Sequence, residues 1–190
     1  MLALDVMSRA SVEAAIAACG PIHVLVNNAG VTNTKFALDQ SEDDWDAIVD
    51  TNLKGAWLVA TETARSMKAA NIAGSIINIA SILGLRQGGH VAPYAISKAG
   101  LVQLTKQLAL ELARFNIRVN ALAPGYFATD LNPEFFAGEA GAALIKRIPQ
   151  RRLGNLEDLA GPLLLLASDA SRYMTGAVIP VDGGHLVSQL

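Results

Sequence analysis

Tyr94 and Lys98 are the residues whose types and spacing suggest chemistry most directly. They lie four positions apart in a stretch with a helical pattern, so both side chains are expected on one face of a helix. A phenol has a pKa of about 10 in model compounds, which makes it a poor base at neutral pH. A nearby ammonium group is predicted to lower that pKa, so that Tyr94 could act as a general acid and base. A pair with this spacing arises by chance in roughly one chain in ten of this composition, so the hypothesis needs further support.

Ser81 provides part of that support. It follows an apolar run at residues 75–80, which predicts a buried strand. Ligands of open α/β sheets bind at the carboxyl ends of the strands. Ser81 could therefore donate a hydrogen bond to a substrate carbonyl oxygen while Tyr94 handles the proton.

Asn52 lies inside a helix predicted for residues 41–70. Asparagine is a weak helix former, and an interior one usually has a solvated side chain or marks a local kink. A functional role for Asn52 depends on whether it faces Tyr94 and Lys98.

The loop before Tyr94 contains Arg86 and His90, and two interpretations stand for both: contact with a substrate, or an ordinary solvated loop. His23 is predicted to be a polar member of a buried strand. The three histidines are scattered without metal-ligand spacing, so no metal site is predicted.

The elements that must position these side chains alternate along the chain. Strands are predicted at residues 22–26, 75–80, 117–123 and 175–181, and helices at 8–18, 41–70, 91–115 and 156–167. This alternation predicts an α/β fold. The order of the first three strands and the two helices between them predicts parallel pairing, right-handed crossovers and a site formed by the loops at one edge of the sheet. The polar segment at about 126–154 is predicted to be a mobile lid around a short helix.

Composition limits the class of protein. A chain of 190 residues that is 52% hydrophobic fits one globular domain. A net charge of −2 gives no reason to expect nucleic acid or an anionic membrane as a partner. Cys19 is the only cysteine, which excludes an internal disulfide and favours the cytoplasm. No apolar run approaches the length of a membrane span.

An ordered set of motifs across residues 1–190 resembles the short-chain dehydrogenases/reductases. The set consists of Asn27, Asn28, Ala29, Gly30, Asn52, Ser81, Tyr94, Lys98, Pro124, Gly125, Thr129, Val181, Asp182, Gly183 and Gly184. The resemblance implies a Rossmann-like doubly wound parallel sheet. It also implies hydride transfer between NAD or NADP and a small carbonyl compound or secondary alcohol, such as a 3-oxoacyl thioester, a sugar or a sugar acid.

The resemblance also implies a role for each catalytic residue. Asn52 would be a structural and proton-relay residue, Ser81 would polarise the carbonyl group, and Tyr94 would be the acid and base. Lys98 would lower the pKa of Tyr94 and bind the nicotinamide ribose. The implied cofactor-binding residues are Asp5, Val6, Asn27, Ala29, Gly30, Tyr94, Lys98, Pro124, Gly125, Tyr126 and Thr129. Family members pair the helix at 91–115 across a dimer interface, which implies a homo-oligomer, a dimer or tetramer.

One family motif is missing from the sequence. Members begin with a strand and a glycine-rich turn that receives the cofactor pyrophosphate at a helix N-terminus, and no such turn occurs here. We therefore expect a single incomplete domain, N-terminally truncated, in which the first two βα units, on the order of 60 residues, are missing. Cofactor binding is expected to be impaired and the edge of the strand at 22–26 to be exposed. The choice between NAD and NADP stays open, as does the alternative of a non-catalytic truncated member that only oligomerises.

Overall fold

Four parallel strands form the centre of the computed structural model, which describes residues 2–128, 136 and 138–188. The strands are β1 (Val24–Asn27), β2 (Ser75–Ile79), β3 (Arg118–Pro124) and β4 (Val178–Val181), and they lie in that order in one sheet. The α-helices are α1 (Arg9–Cys19), α2 (Glu42–Val49), α3 (Ala56–Ala69), α4 (Ala92–Leu112), α5 (Glu139–Ile145) and α6 (Ala160–Ala167). The predicted α/β class and parallel pairing are confirmed.

Serine caps explain where the first two helices begin. The Ser8 side chain accepts a hydrogen bond from the Ser11 backbone N–H and caps α1. Ser41 caps α2 in the same way, through the Asp44 N–H, while the Asp44 carboxylate accepts from the Ser41 N–H. These bonds satisfy backbone donors that have no partner within the helix, so the local sequence determines both starts.

The helix predicted for residues 41–70 is not uniform. Between α2 and α3 the chain forms a π-helix, Asp50–Gly55, which contains Asn52. Single-turn π segments within α-helices are rare and often occur at functional sites.

Helices cover both faces of the sheet. On one face, α3 and α4 pack against Ile76 and Val119. On the other, Leu166 of α6 packs against Ile77 and Leu122. Because successive strand residues point to opposite faces, adjacent residues of β2 contribute to separate cores. The arrangement is a doubly wound, Rossmann-like sheet.

The third crossover differs from the other two. The helices that connect β1 to β2 and β2 to β3 lie on one face, whereas α6, which connects β3 to β4, lies on the other. Since the strands follow one another across the sheet, this last crossover has the opposite hand to the first two. The right-handed crossovers predicted from the order of the first three strands do not extend to this step.

Strand β1 forms an edge of the sheet within the described part of the chain. Val24 and Val26 are each 40% exposed, in contrast to the fully buried Ile76 and Ile77 of β2. The exposed edge matches the expectation. His23 contradicts its prediction, since it precedes β1 and is itself exposed.

The two described ends of the segment at 126–154 lie side by side. Phe127 and Gly154 form a parallel bridge, the Ala128 N–H donates to the Gly154 carbonyl at 2.9 Å, and the Gly154 N–H donates to the Tyr126 carbonyl at 2.9 Å. The short helix predicted within this segment is α5. In the described residues, no helix is both long and apolar enough to cross a membrane.

Candidate active site

Asn52, Ser81, Tyr94 and Lys98 lie together near the carboxyl ends of β1 and β2. Ser81 follows β2, and Tyr94 and Lys98 lie on the first turns of α4. Gly30, which follows β1, marks the point of convergence: a Cβ atom at this position would lie 3.3 Å from Asn52 Oδ1 and 3.5 Å from Lys98 Nζ. Asn52 therefore lies beside Lys98, which is part of the condition on which its functional interpretation depends.

Asn52 is fully buried, and its side-chain amide is hydrogen-bonded on both sides. Its Oδ1 accepts from the Val31 N–H at 2.8 Å, and its Nδ2 donates to the Val31 carbonyl at 2.9 Å and to Ser97 Oγ at 3.1 Å. Ser97 Oγ in turn donates to the Tyr94 carbonyl at 2.7 Å. The side chain thus connects the π-helix, the segment after β1 and the first turns of α4, and it is not solvated.

Lys98 is only 4% exposed. Its Nζ donates to the Ile79 carbonyl at 2.7 Å and lies 5.7 Å from the centroid of the Tyr94 ring. Burial disfavours the charged form and lowers the pKa of Lys98 to about 8. An amine with this pKa can both donate and accept a proton near neutral pH.

Tyr94 differs electrostatically from the expectation. The pKa of the Tyr94 phenol lies above its ordinary value, and burial is the largest cause. The Ser81 hydroxyl, which is within hydrogen-bonding reach, lowers this pKa, and the neighbouring Tyr126 raises it. The predicted lowering by Lys98 is not observed. The reason is that desolvation of the phenolate dominates, while the ammonium donates to the Ile79 carbonyl. The phenol is therefore held in its protonated form.

Asn27 has a structural role in this chain. Its Nδ2 donates to the Ala56 carbonyl at 3.1 Å and to Asn78 Oδ1 at 3.0 Å, and Asn78 Nδ2 donates to Thr105 Oγ1 at 2.9 Å. This chain of bonds joins β1, β2, α3 and α4. Ala29 and Gly30 are exposed beyond it and leave backbone accessible beside Lys98.

Asp5 and Val6 lie in the turn that precedes α1. The Asp5 carboxylate accepts from the Met7 N–H at 2.9 Å, and Asp5 itself is exposed. Val6 packs against the π-helix so closely that a Cβ atom on Gly55 would lie 2.8 Å from its methyl group. The N-terminal turn is thus adjacent to the segment that contains Asn52.

The Pro124, Gly125 and Tyr126 turn after β3 is held against the end of β4. The Gly125 N–H donates to the Val181 carbonyl at 2.9 Å, and a Cβ atom on Gly125 would lie 2.8 Å from the Asp182 backbone. Only glycine permits this approach. The predicted cofactor residue Thr129 lies outside the described residues.

Two features beside Tyr126 were not identified from the sequence. Its ring packs against the ring of His185, with centroids 5.5 Å apart. A cavity of about 360 Å³ opens between the turns after β3 and β4, and Arg152 and Gly183 are among the residues that line it. The available signal was the turn of polar and glycine residues after β4, which the parallel topology places at the same sheet edge as Ser81.

Comparison with known proteins gives consistent matches over almost the whole chain. Residues 1–185 match the family model described as enoyl-(acyl carrier protein) reductase. The chain is 43% identical over 178 residues to 2-dehydro-3-deoxy-D-gluconate 5-dehydrogenase of Escherichia coli, which covers 93% of this chain and 70% of the relative. It is 43% identical over 177 residues to 3-oxoacyl-[acyl-carrier-protein] reductase FabG of Thermotoga maritima, covering 93% of this chain and 71% of that protein.

Solved structures agree with the sequence matches. A short-chain type dehydrogenase/reductase from Mycobacterium marinum superposes with a TM-score of 0.90 at 38% identity, over 97% of this chain and 74% of that one. A gluconate 5-dehydrogenase from Burkholderia cenocepacia, in complex with NADP and tartrate, gives a TM-score of 0.93 at 39% identity, over 98% of this chain and 74% of that one.

Proposed function

Because the chain belongs to the short-chain dehydrogenase/reductase family, we propose that it catalyses hydride transfer between NAD or NADP and a carbonyl or secondary-alcohol carbon of a small substrate. The observation that supports the proposal best is the proximity of Ser81 to the Tyr94 phenol, next to the buried amine of Lys98. A hydroxyl donor and an acid–base group at one point are what carbonyl reduction requires.

The residues present fit the nicotinamide-ribose half of a dinucleotide. The exposed backbone of Ala29 and Gly30 borders Lys98 Nζ, whose remaining donors suit the hydroxyl pair of a ribose. The glycine-rich turn that receives a pyrophosphate is absent from this sequence, so we propose weakened affinity. The proposed cofactor contacts are Asp5, Val6, Asn27, Ala29, Gly30, Tyr94, Lys98, Pro124, Gly125, Tyr126 and Thr129. When bound, the nicotinamide ring supplies or accepts the hydride.

Each catalytic side chain has a distinct part in the proposal. Ser81 Oγ donates a hydrogen bond to the substrate carbonyl oxygen and orients it. Tyr94 donates its proton to that oxygen during reduction, and its raised pKa keeps the proton available. Lys98, with a pKa of about 8, returns a proton to the phenolate. Asn52 holds the start of α4 against the segment after β1, so that these groups keep their positions.

The substrate class follows from the relatives. Those reported above are named for a deoxyketogluconate, for gluconate and for a 3-oxoacyl thioester on carrier protein. We therefore propose a small oxo or hydroxy compound of the sugar-acid or 3-oxoacyl type. In this proposal the segment at 126–154 acts as a lid of a single incomplete domain, since its two ends meet beside Tyr126 at the Phe127 and Gly154 bridge.

A second candidate is a non-catalytic family member that only oligomerises. The missing glycine-rich turn and the exposed valines of β1 favour it. Under either candidate we propose a homodimer or homotetramer that pairs through α4, on which Leu110 is 76% exposed and Ile96 is also exposed. We propose a cytoplasmic location because the only cysteine, Cys19, is a free thiol.

Titration of the purified chain with NADH and NADPH, followed by nicotinamide fluorescence, tests the proposed function. Saturable binding of either nucleotide, together with reduction of 5-keto-D-gluconate or an acetoacetyl thioester, is the expected result. A discrete oligomer with no nucleotide binding at millimolar concentrations would refute catalysis and leave the second candidate.

A further inference from the structure

Arg86 is fixed against the turn that follows β4. It belongs to the loop between Ser81 and Tyr94, and its Nη1 donates to the His185 carbonyl at 2.5 Å and to Ser188 Oγ at 3.4 Å. One edge of the guanidinium is therefore used for anchoring. The other edge keeps the geometry that accepts a carboxylate through two parallel hydrogen bonds.

No carboxylate balances the charge of Arg86 among residues 2–128, 136 and 138–188. Arg86 takes part in none of the ion pairs found there. The Asp182 carboxylate, on the same turn, accepts from the Gly184 N–H at 2.9 Å and the Leu186 N–H at 2.7 Å instead. A half-buried cation without a counter-ion favours binding of an anion.

The surroundings of His185 strengthen the positive potential. The residue is only 7% exposed, and its Nδ1 has no hydrogen-bond partner in the described structure. Burial lowers the pKa of His185, the charges of Arg86 and Arg147 lower it further, and Asp182 opposes them. Two arginines and one carboxylate therefore act on this imidazole.

Tyr126 connects this positive region to the acid–base group. The His185 and Tyr126 rings are 5.5 Å apart. The charge of Arg86 acts on the Tyr126 phenol, and Tyr126 acts on Tyr94. Arg86 is thus within electrostatic reach of Tyr126, whose ring packs on His185 and which neighbours Tyr94.

We propose that Arg86 binds the carboxylate of the substrate, which makes the substrate a hydroxy or oxo carboxylic acid instead of a neutral sugar or an acyl thioester. This inference rests on the proposed function, because it places a substrate at that same site. An acid whose oxidisable carbon lies several bonds from its carboxylate would present its oxygen to Ser81 and Tyr94 while its carboxylate pairs with Arg86.

Equilibrium binding of D-gluconate and D-gluconamide, measured by calorimetry in the presence of NADPH and in its absence, tests the proposal. The two compounds share a carbon skeleton and differ in the carboxylate. We expect gluconate to bind at least about tenfold more tightly, and Arg86→Gln to abolish that preference, since a charged hydrogen bond is lost. Arg86→Lys should retain only part of it, because an ammonium cannot form the paired contact.

Matched variants separate anchoring from recognition. Ser188→Ala removes the weaker anchoring contact and should keep the preference for gluconate. Arg65→Gln removes an exposed arginine of α3 that pairs with Glu62, and it should change nothing. Thermal melts of all variants show whether the fold is retained.

Three outcomes would overturn the proposal: equal binding of gluconate and gluconamide, no binding of either, or a preference that survives Arg86→Gln. Loss of NADPH affinity in Arg86→Gln, with the gluconate preference unchanged, would assign the arginine to a cofactor phosphate instead and would also overturn it. Tyr94→Phe should retain the binding preference while it abolishes turnover. A wild-type protein that binds gluconate selectively but turns nothing over would therefore refute catalysis and leave the role of Arg86 intact.

Discussion

Lys98 Nζ donates a 2.7 Å hydrogen bond to the carbonyl oxygen of Ile79, the last residue of β2. This bond connects the helix that contains the acid–base pair to β2, the strand that Ser81 follows. It also accounts for a buried amine that has no carboxylate partner among the described residues.

Lys98→Met should change how stability depends on pH. The pKa of Lys98 is about 8 in the folded chain and 10.5 in the unfolded chain, so the unfolded chain binds more protons between these values. The free energy of unfolding of the wild type should therefore rise by about 3 kcal/mol from this group between pH 8 and pH 10.5. Urea unfolding at both pH values measures the free energy of unfolding of each protein. Subtracting the change in the variant from the change in the wild type removes the contribution of the other titrating groups. Parallel pH profiles for the two proteins would contradict a depressed Lys98 pKa.

Tyr94→Phe should reduce turnover by about 10² to 10⁴-fold and leave the fold unchanged, because the phenol is the proposed proton donor. Since burial raises the pKa of Tyr94, its phenol is protonated at neutral pH, and oxidation of an alcohol should speed up as the pH rises. Steady-state rates in both directions between about pH 7 and pH 10 provide the measurement. The fully exposed Tyr173 offers the control, since Tyr173→Phe should match the wild type. An oxidation rate that is independent of pH would argue against Tyr94 as the base.

Asn52→Ala should destabilise the chain by about 3 kcal/mol, because it leaves the Val31 backbone groups without their partners in a buried site. Chemical denaturation measures this loss. Asn28, which is exposed, provides the matched asparagine, and Asn28→Ala should stay within about 0.5 kcal/mol of the wild type. Equal effects of the two substitutions would show that the Asn52 bonds contribute little to stability.

Gly84→Ala should distort the site through packing alone. A Cβ atom at Gly84 would lie 2.7 Å from the backbone carbon and oxygen of Lys98, and backbone atoms cannot rotate away. We expect a loss of about 1 to 3 kcal/mol in stability and a shift of Ser81 relative to α4. Gly89 lies in the same loop, and a Cβ atom there would have no neighbour within 4 Å, so Gly89→Ala should be neutral or slightly stabilising. Thermal melts compare the two, and a neutral Gly84→Ala would show that the loop can move away from α4.

Local rules account for much of the fold. Ser8 and Ser41 are recognisable helix caps, and the β-branched run at β2 identifies a buried strand, because each signal depends on neighbours in the sequence. The spacing of Tyr94 and Lys98 places them on one helix, and the structure brings Asn52 beside Lys98. These relationships follow from periodicity and topology.

The remaining features depend on contacts between distant segments. The raised pKa of Tyr94 arises from burial by the surrounding structure, which a pairwise argument between residues four apart omits. The anchoring of Arg86 joins residues 99 positions apart, and the choice of sheet face by α6 depends on which core Leu166 enters. Sequence spacing alone contains neither relationship.

The π-helix at Asp50–Gly55 also determines the rotation of α3 about the helix axis relative to α2. An α-helix rotates by about 100° per residue, and a π turn accommodates one additional residue. Removal of a single residue from this segment would restore a regular helix and rotate everything on one side of it by about 100°. Either Asn52 would leave the site, or the row of Ala60, Ala64 and Met67 on α3 would turn away from the core. The π-helix therefore tolerates a change of residue type more readily than a change of length. Its length fixes which face of α3 packs into the core once Asn52 lies in the site.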